Sequence, residues 1–80
     1  MLDRPVVVEA TWRAGQWQPQ ALWLQERRWV LIGWGRQTET ANGGLQMLVE
    51  AEEGTRFELL LDVAAGQWRV RRMWPSRRAA

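Results

Sequence analysis

The sequence predicts an all-β domain, an antiparallel meander of six strands curled into a partly closed, SH3-like small barrel. Short runs of β-forming residues alternate with glycine-bearing turns at intervals of roughly ten residues, the spacing of a meander. No segment sustains a helical apolar period bounded by caps, so helix is not expected beyond a turn. The 80 residues make one domain with a small core. Strands are expected over 6–12, 17–25, 28–36, 45–51, 56–62 and 67–74, within a single β domain covering 1–74. The remainder, 75–80, reads as a disordered basic tail.

Taken in chain order, the first two strands are joined at Ala14-Gly15 or Arg13-Ala14-Gly15. Pro19 cannot donate to a ladder, so the start of the second strand is expected to be an edge or a bulge. Glu26-Arg27 can close a tight turn that sets Leu24 against Trp29 and Leu22 against Leu31. Trp23, Val30 and Ile32 then point the other way, leaving this hairpin apolar on both faces, as a strand inside a barrel or against another chain would be. The stretch 38–44, ending in Asn42-Gly43-Gly44, is the longest expected loop.

The C-terminal half can be registered by its turns. Glu52-Glu53-Gly54 suits a hairpin loop whose last position takes a positive φ, which glycine adopts freely. That register pairs Ala51 with Thr55, Val49 with Phe57, Met47 with Leu59 and Leu45 with Leu61, an apolar face, and sets Glu50 against Arg56 on the other. Val63-Ala64-Ala65-Gly66 fits a second loop, closed by Asp62 and Gln67. It pairs Leu61 with Trp68 and Leu59 with Val70, and sets Glu58 against Arg71 outside. The two loops are independent, yet they define one shared core face. A slip of one residue would bury charges on both strands. The expected core is Met47, Val49, Phe57, Leu59, Leu61, Trp68 and Val70, joined by Leu22, Leu24, Trp29 and Leu31.

The chain contains no Cys, His, Lys or Tyr, but it has seven Trp: Trp12, Trp17, Trp23, Trp29, Trp34, Trp68 and Trp74. A core of this size holds about three or four indoles at the 150–250 Å² each one buries, so the others should cover rims or lie in an interface. All eleven cationic side chains are Arg, and the formal net charge is only +2. The pI near 11.0 reflects a flat titration curve, because no side chain titrates between the carboxylates and Arg. No run approaches a membrane span, and Met1-Leu2-Asp3-Arg4-Pro5 has no apolar signal segment, so the expectation is a cytoplasmic chain with no membrane contact.

Composition also closes off most chemistries. Without His, Cys or Lys there is no Ser-His, Cys-His or Schiff-base arrangement and no usual zinc ligand set, and Ser76 is the only serine. Gly33-Trp34-Gly35 is half of a phosphate-loop pattern but no helix comes after it. Glu50, Glu58 and Asp62 already have cross-strand or turn roles. No catalytic, cofactor-binding or metal-ligating residue is therefore assigned, and no cofactor is expected. The remaining signal is Trp with Arg. Trp23, Trp34 and Trp74, with Arg69, Arg71 and Arg72 near the end of the last strand, form the candidate interaction set. The favoured partner is a protein or a second copy of the chain, met through exposed Trp and an open strand edge. Single-stranded nucleic acid, stacked on indole and held by guanidinium, is the alternative.

Two segments carry a resemblance. One is Pro19-Gln20-Ala21-Leu22-Trp23-Leu24-Gln25-Glu26-Arg27-Arg28-Trp29. The other is Phe57-Glu58-Leu59-Leu60-Leu61-Asp62 continuing through Ala65-Gly66-Gln67-Trp68-Arg69-Val70 to Met73-Trp74. Together they resemble a small bacterial all-β module that occurs alone or as the C-terminal appendage of catalytically inactive Y-family polymerase homologues. They span about half the chain, and the second is the more specific. The segment 37–44 is shorter and more polar than in that module, and its tyrosines are missing here. The resemblance implies an accessory, non-catalytic role near DNA-damage-tolerance proteins.

Overall fold

Alternating apolar and polar residues between turn signals give seven strands in the computed structural model, which describes residues 3–76. They are β1 (Arg4–Arg13), β2 (Gln16–Leu24), β3 (Arg27–Trp34), β4 (Thr38–Glu39), β5 (Leu45–Ala51), β6 (Arg56–Asp62) and β7 (Gln67–Trp74). Every pairing is antiparallel. The order β3-β2-β1-β7-β6-β5-β4, with β3 also paired to β5, makes a closed six-stranded barrel with β4 as an extra strand. The all-β, six-stranded antiparallel small barrel expected from the sequence is formed, and the β3–β5 pairing closes its ring. The tail predicted over 75–80 is described at Pro75 and Ser76, where the Ser76 amide donates to Thr55 Oγ1 at 3.3 Å. Residues 77–80, including Arg77 and Arg78, lie outside the described residues. Among the described residues no helix is long and apolar enough to cross a membrane.

The β5–β6 hairpin has the register its turn predicts: Val49 opposite Phe57, Met47 opposite Leu59, Leu45 opposite Leu61. Gly54 takes a φ of 103°, and the Gly54 amide donates to the Ala51 carbonyl at 2.9 Å. On the outer face Arg56 Nε donates to Glu50 Oε1 at 3.0 Å. The β6–β7 hairpin also agrees with its turn from Asp62–Gln67 through Leu59–Val70. A bulge then leaves Arg71 unpaired, and Glu58 stands opposite Arg72, not Arg71. A bulge adds one residue to one strand and re-aims the side chains beyond it, so the predicted Glu58–Arg71 pair does not form.

The N-terminal half departs further from expectation. The β2–β3 turn is Gln25-Glu26, which sets Leu24 opposite Arg27 and Leu22 opposite Trp29. The predicted Glu26-Arg27 turn displaced this register by two residues, an even step that leaves the inward face unchanged. Both turn residues have positive φ, 57° and 61°, the conformation a two-residue hairpin turn of right-handed twist demands. Ala14 and Gly15 do the same between β1 and β2, at 51° and 77°. Beside Pro19 the pairing skips Gln20, the bulge that proline called for. The predicted loop 38–44 is shortened by β4, which extends the edge of β5 already used by β3. The loop then folds on itself, with the Gly44 amide donating to Thr40 Oγ1 at 2.9 Å.

The core is Leu22, Leu24, Trp29, Leu31, Met47, Val49, Ala51, Phe57, Leu59 and Val70, with Leu61 also buried. Trp29 packs edge-on against Phe57 at 5.2 Å between ring centroids. Ala21 and Pro19 join the buried set, unannounced by the strand pattern. Trp68, expected in the core, is half-buried at its margin, in edge contact with Trp17 at 6.4 Å. Trp29 is thus the single buried indole. Trp17 and Trp68 pack against the core from its margin without full burial, so fewer indoles enter the lumen than the three or four expected.

Candidate interaction surfaces

The outer face of β1, β2 and β3 is organised by Glu9. Arg28 makes two parallel hydrogen bonds to its carboxylate, Nε to Oε2 and Nη2 to Oε1, each 2.9 Å, and the Trp23 indole N–H donates to Oε2 at 2.9 Å. Arg28, then Trp23, hold the Glu9 carboxyl down at about 2. Trp23, expected to meet a partner, is therefore oriented by an internal polar bond, with part of its ring left exposed.

The Arg residues of β7 are gathered by Asp3, a residue the sequence pattern does not single out. Asp3 accepts from Arg69 Nε at 2.8 Å, and its carbonyl from Arg69 Nη2 at 3.1 Å. Arg71, aimed by its bulge, brings Nε to 3.8 Å from the same carboxylate oxygen without a hydrogen bond. Arg69, and more weakly Arg71, hold the Asp3 carboxyl below its usual value. Only Arg72 of the expected trio is without a carboxylate within ion-pair distance among the described residues.

Trp34 and Trp74 border a common stretch of the outer wall. Leu48, Glu50 and Arg56 lie between them, in a small cleft of 260 Å³ beside Trp34 and a larger one of 670 Å³ beside Trp74. Trp34 also lines a third cleft of 440 Å³ at the end of the barrel. Its indole N–H donates to the Pro19 carbonyl, and Gln37 Nε2 donates to the Trp17 carbonyl, so the connection between β3 and β4 is tied down onto β2. Trp23 stands apart from both, and the six predicted residues do not form one site.

A further surface, of the open-edge and exposed-Trp kind that was expected, lies on residues outside the candidate set. β1 pairs with β7 only through Arg4, Pro5 and Val6, and with β2 through Val7–Arg13. Its other edge over 7–13 has no strand partner among the described residues. This same stretch bears the two most exposed large apolar side chains, Val7 at 67% and Trp12 at 60%. Trp12 rests edge-on against Trp17 at 5.2 Å. The signal was in the sequence: an Ala14-Gly15 turn sets Trp12 opposite Trp17, but how far that hairpin overruns its neighbours depends on where β7 joins β1. Comparison with family models, with curated proteins and with solved structures gave no match.

Proposed function

We propose that the chain is a non-catalytic interaction module that binds protein by adding a strand to the free edge of β1, with a second copy of itself as first partner. The supporting observation is the coincidence on one stretch, 7–13, of an unpaired strand edge and the most exposed apolar side chains. An exposed edge of unpaired amides and carbonyls is a template for another strand unless proline, a dense charge pattern or a covering segment guards it. Here Val7-Val8-Glu9-Ala10-Thr11-Trp12 contains no proline and one carboxylate, which Arg28 already engages.

Two copies related by a two-fold axis can pair this edge antiparallel about Ala10. Val8 then faces the copy's Trp12, an apolar cross-strand pair repeated twice, and no like charges meet. The resemblance to a polymerase appendage makes DNA-damage-tolerance proteins the next partners to try on the same edge.

The test is mass in solution against concentration, by light scattering or sedimentation, for the parent chain and for Val7→Lys with Thr11→Glu, exposed positions that would face the copy's Arg13 and Glu9 with like charge. The parent should move from one chain to two as concentration rises, and the double variant should stay at one while keeping its near-ultraviolet spectrum. A parent that stays monomeric, or a double variant that still dimerises, overturns the self-pairing.

A further inference from the structure

We infer that the cleft at the barrel end, between β2 and the connection from β3 to β4, binds single-stranded nucleic acid, with Trp34 and Trp17 presenting ring surface to bases and Arg13 and Arg36 meeting phosphates. This goes beyond strand addition at β1: the cleft lies toward β2 and the β3–β4 connection and shares only Arg13 with the free edge over 7–13.

The inference starts from which arginines are free. Arg28, Arg56, Arg69 and Arg71 each have a carboxylate within 4.0 Å or less. Arg27 lies over the Trp29 ring, its guanidinium carbon 3.8 Å from the centroid. Among the described residues Arg4, Arg13, Arg36 and Arg72 have no such partner, and Arg13 and Arg36 line the same cleft. No carboxylate lines it; the other walls are glutamine amides, Ala14, Gly35 and the two indoles. Two uncompensated guanidinium groups facing one cavity attract an anion and select one with spaced charges, as a phosphodiester chain has.

The aromatic part selects the rest of the ligand. The Trp34 N–H is consumed by the Pro19 carbonyl, which fixes the plane of a ring that is 43% exposed. A fixed, half-exposed indole beside free arginines is how sheet proteins hold unpaired bases, whose faces are hidden in a duplex. The volume, 440 Å³, suits a nucleotide unit. The larger cleft beside Trp74 lacks this character, because Glu50 neutralises its one arginine, Arg56.

The experiment is a titration of intrinsic Trp fluorescence with a mixed-sequence single-stranded DNA oligonucleotide at low and physiological salt, with the matching duplex alongside. The expected result is saturable quenching that weakens as salt rises, with weaker binding of the duplex. Arg13→Glu combined with Arg36→Glu should lower affinity by about tenfold or more. Arg72→Glu, on the outer face of β7, should leave affinity unchanged. Trp34→Phe should reduce the quenching amplitude. No quenching at low salt, quenching indifferent to salt, or full affinity in the Arg13/Arg36 double variant overturns the assignment. So does an equal loss in Arg72→Glu, which would move the contact to β7. Near-ultraviolet circular dichroism of each variant separates lost binding from lost folding.

Discussion

The two halves of the barrel solve the same problem with different chemistry. In β5–β6–β7 the turns place glycine where the backbone needs a positive φ, at Gly54 and Gly66, and the inward face is uniformly apolar. In β1–β2–β3 positive φ falls on Gly15 but also on Ala14, Gln25 and Glu26, which are not glycine. There apolar residues occupy both faces, leaving Val7, Trp23 and Ile32 in solvent. The C-terminal half is built for internal consistency. The N-terminal half carries positive φ on residues other than glycine and more of the exposed apolar surface, although Leu48, Val63 and Trp74 are exposed in the other half, and it holds the free edge and the barrel-end cleft. A small barrel can sustain this only because closure onto the well-registered half fixes the strands of the other.

The sharpest way to test that contrast is to remove one ring from each half. Phe57 is fully buried and meets Trp29 edge-on, so Phe57→Ala should cost about 3–5 kcal/mol. Trp12→Ala, at the exposed hairpin, should cost about 1 kcal/mol or less. Denaturant titrations of both variants measure the difference. Equal costs would mean that the projecting hairpin is as integral to stability as the core.

Turn exchange should give effects of opposite sign in the two halves. Gln25→Asn with Glu26→Gly supplies the residues that a two-residue turn with positive φ favours, and should stabilise by about 1–2 kcal/mol. Gly54→Ala should destabilise by a similar amount, about 1–2 kcal/mol. At Gly54 φ is 103° and an added Cβ would lie 2.9 Å from Ser76 Oγ. Thermal midpoints read both, and a stabilising Gly54→Ala would break the comparison.

The smallest effect is a pH dependence confined to the outer wall. The Glu9 carboxyl is held at about 2 when folded against an ordinary value of 4.5. A lowered folded value means that the stabilisation is complete above about pH 4.5 and is lost as pH falls toward 2. Asp3 and Glu53, also held below their ordinary values, act in the same direction. Glu9→Gln should therefore flatten the acid limb of stability against pH and leave the region above about pH 6, well over the unfolded value, without slope. An unchanged acid limb would remove Glu9 from the account.

Legibility in the sequence divides along the same line. At 45–74 each turn fixes a register by itself, and two turns agreeing on one face leave no freedom. Leu59 is placed opposite both Met47 and Val70 by the turns alone, and the strands pair so. At 4–34 the strands are apolar on both sides, so neither face announces itself; the turn falls at Gln25-Glu26, one residue before the expected Glu26-Arg27, and the register differs by two. The Arg71 bulge was equally silent, because nothing local marks the point where one strand takes an extra residue. Of the expected contact residues, Trp34 does border a cleft, whereas Arg69 and Arg71 are engaged by Asp3, 66 and 68 positions away in sequence. Arg13 and Arg36 are isolated charges in the sequence; only folding brings them to one cavity.

By itself the sequence determined an all-β chain, its C-terminal registers, the apolar set that fills the lumen and the catalytic side chains it lacks. These depend on alternation, turn chemistry and composition, which act over a few residues. Tertiary structure decided that β1 meets β7 over three residues and β2 over the next seven, that the ring closes, and that one strand edge is left open. It also decided which arginines find a carboxylate and which do not. Those outcomes depend on shear around the barrel and on contacts between distant segments, quantities to which no local pattern is sensitive.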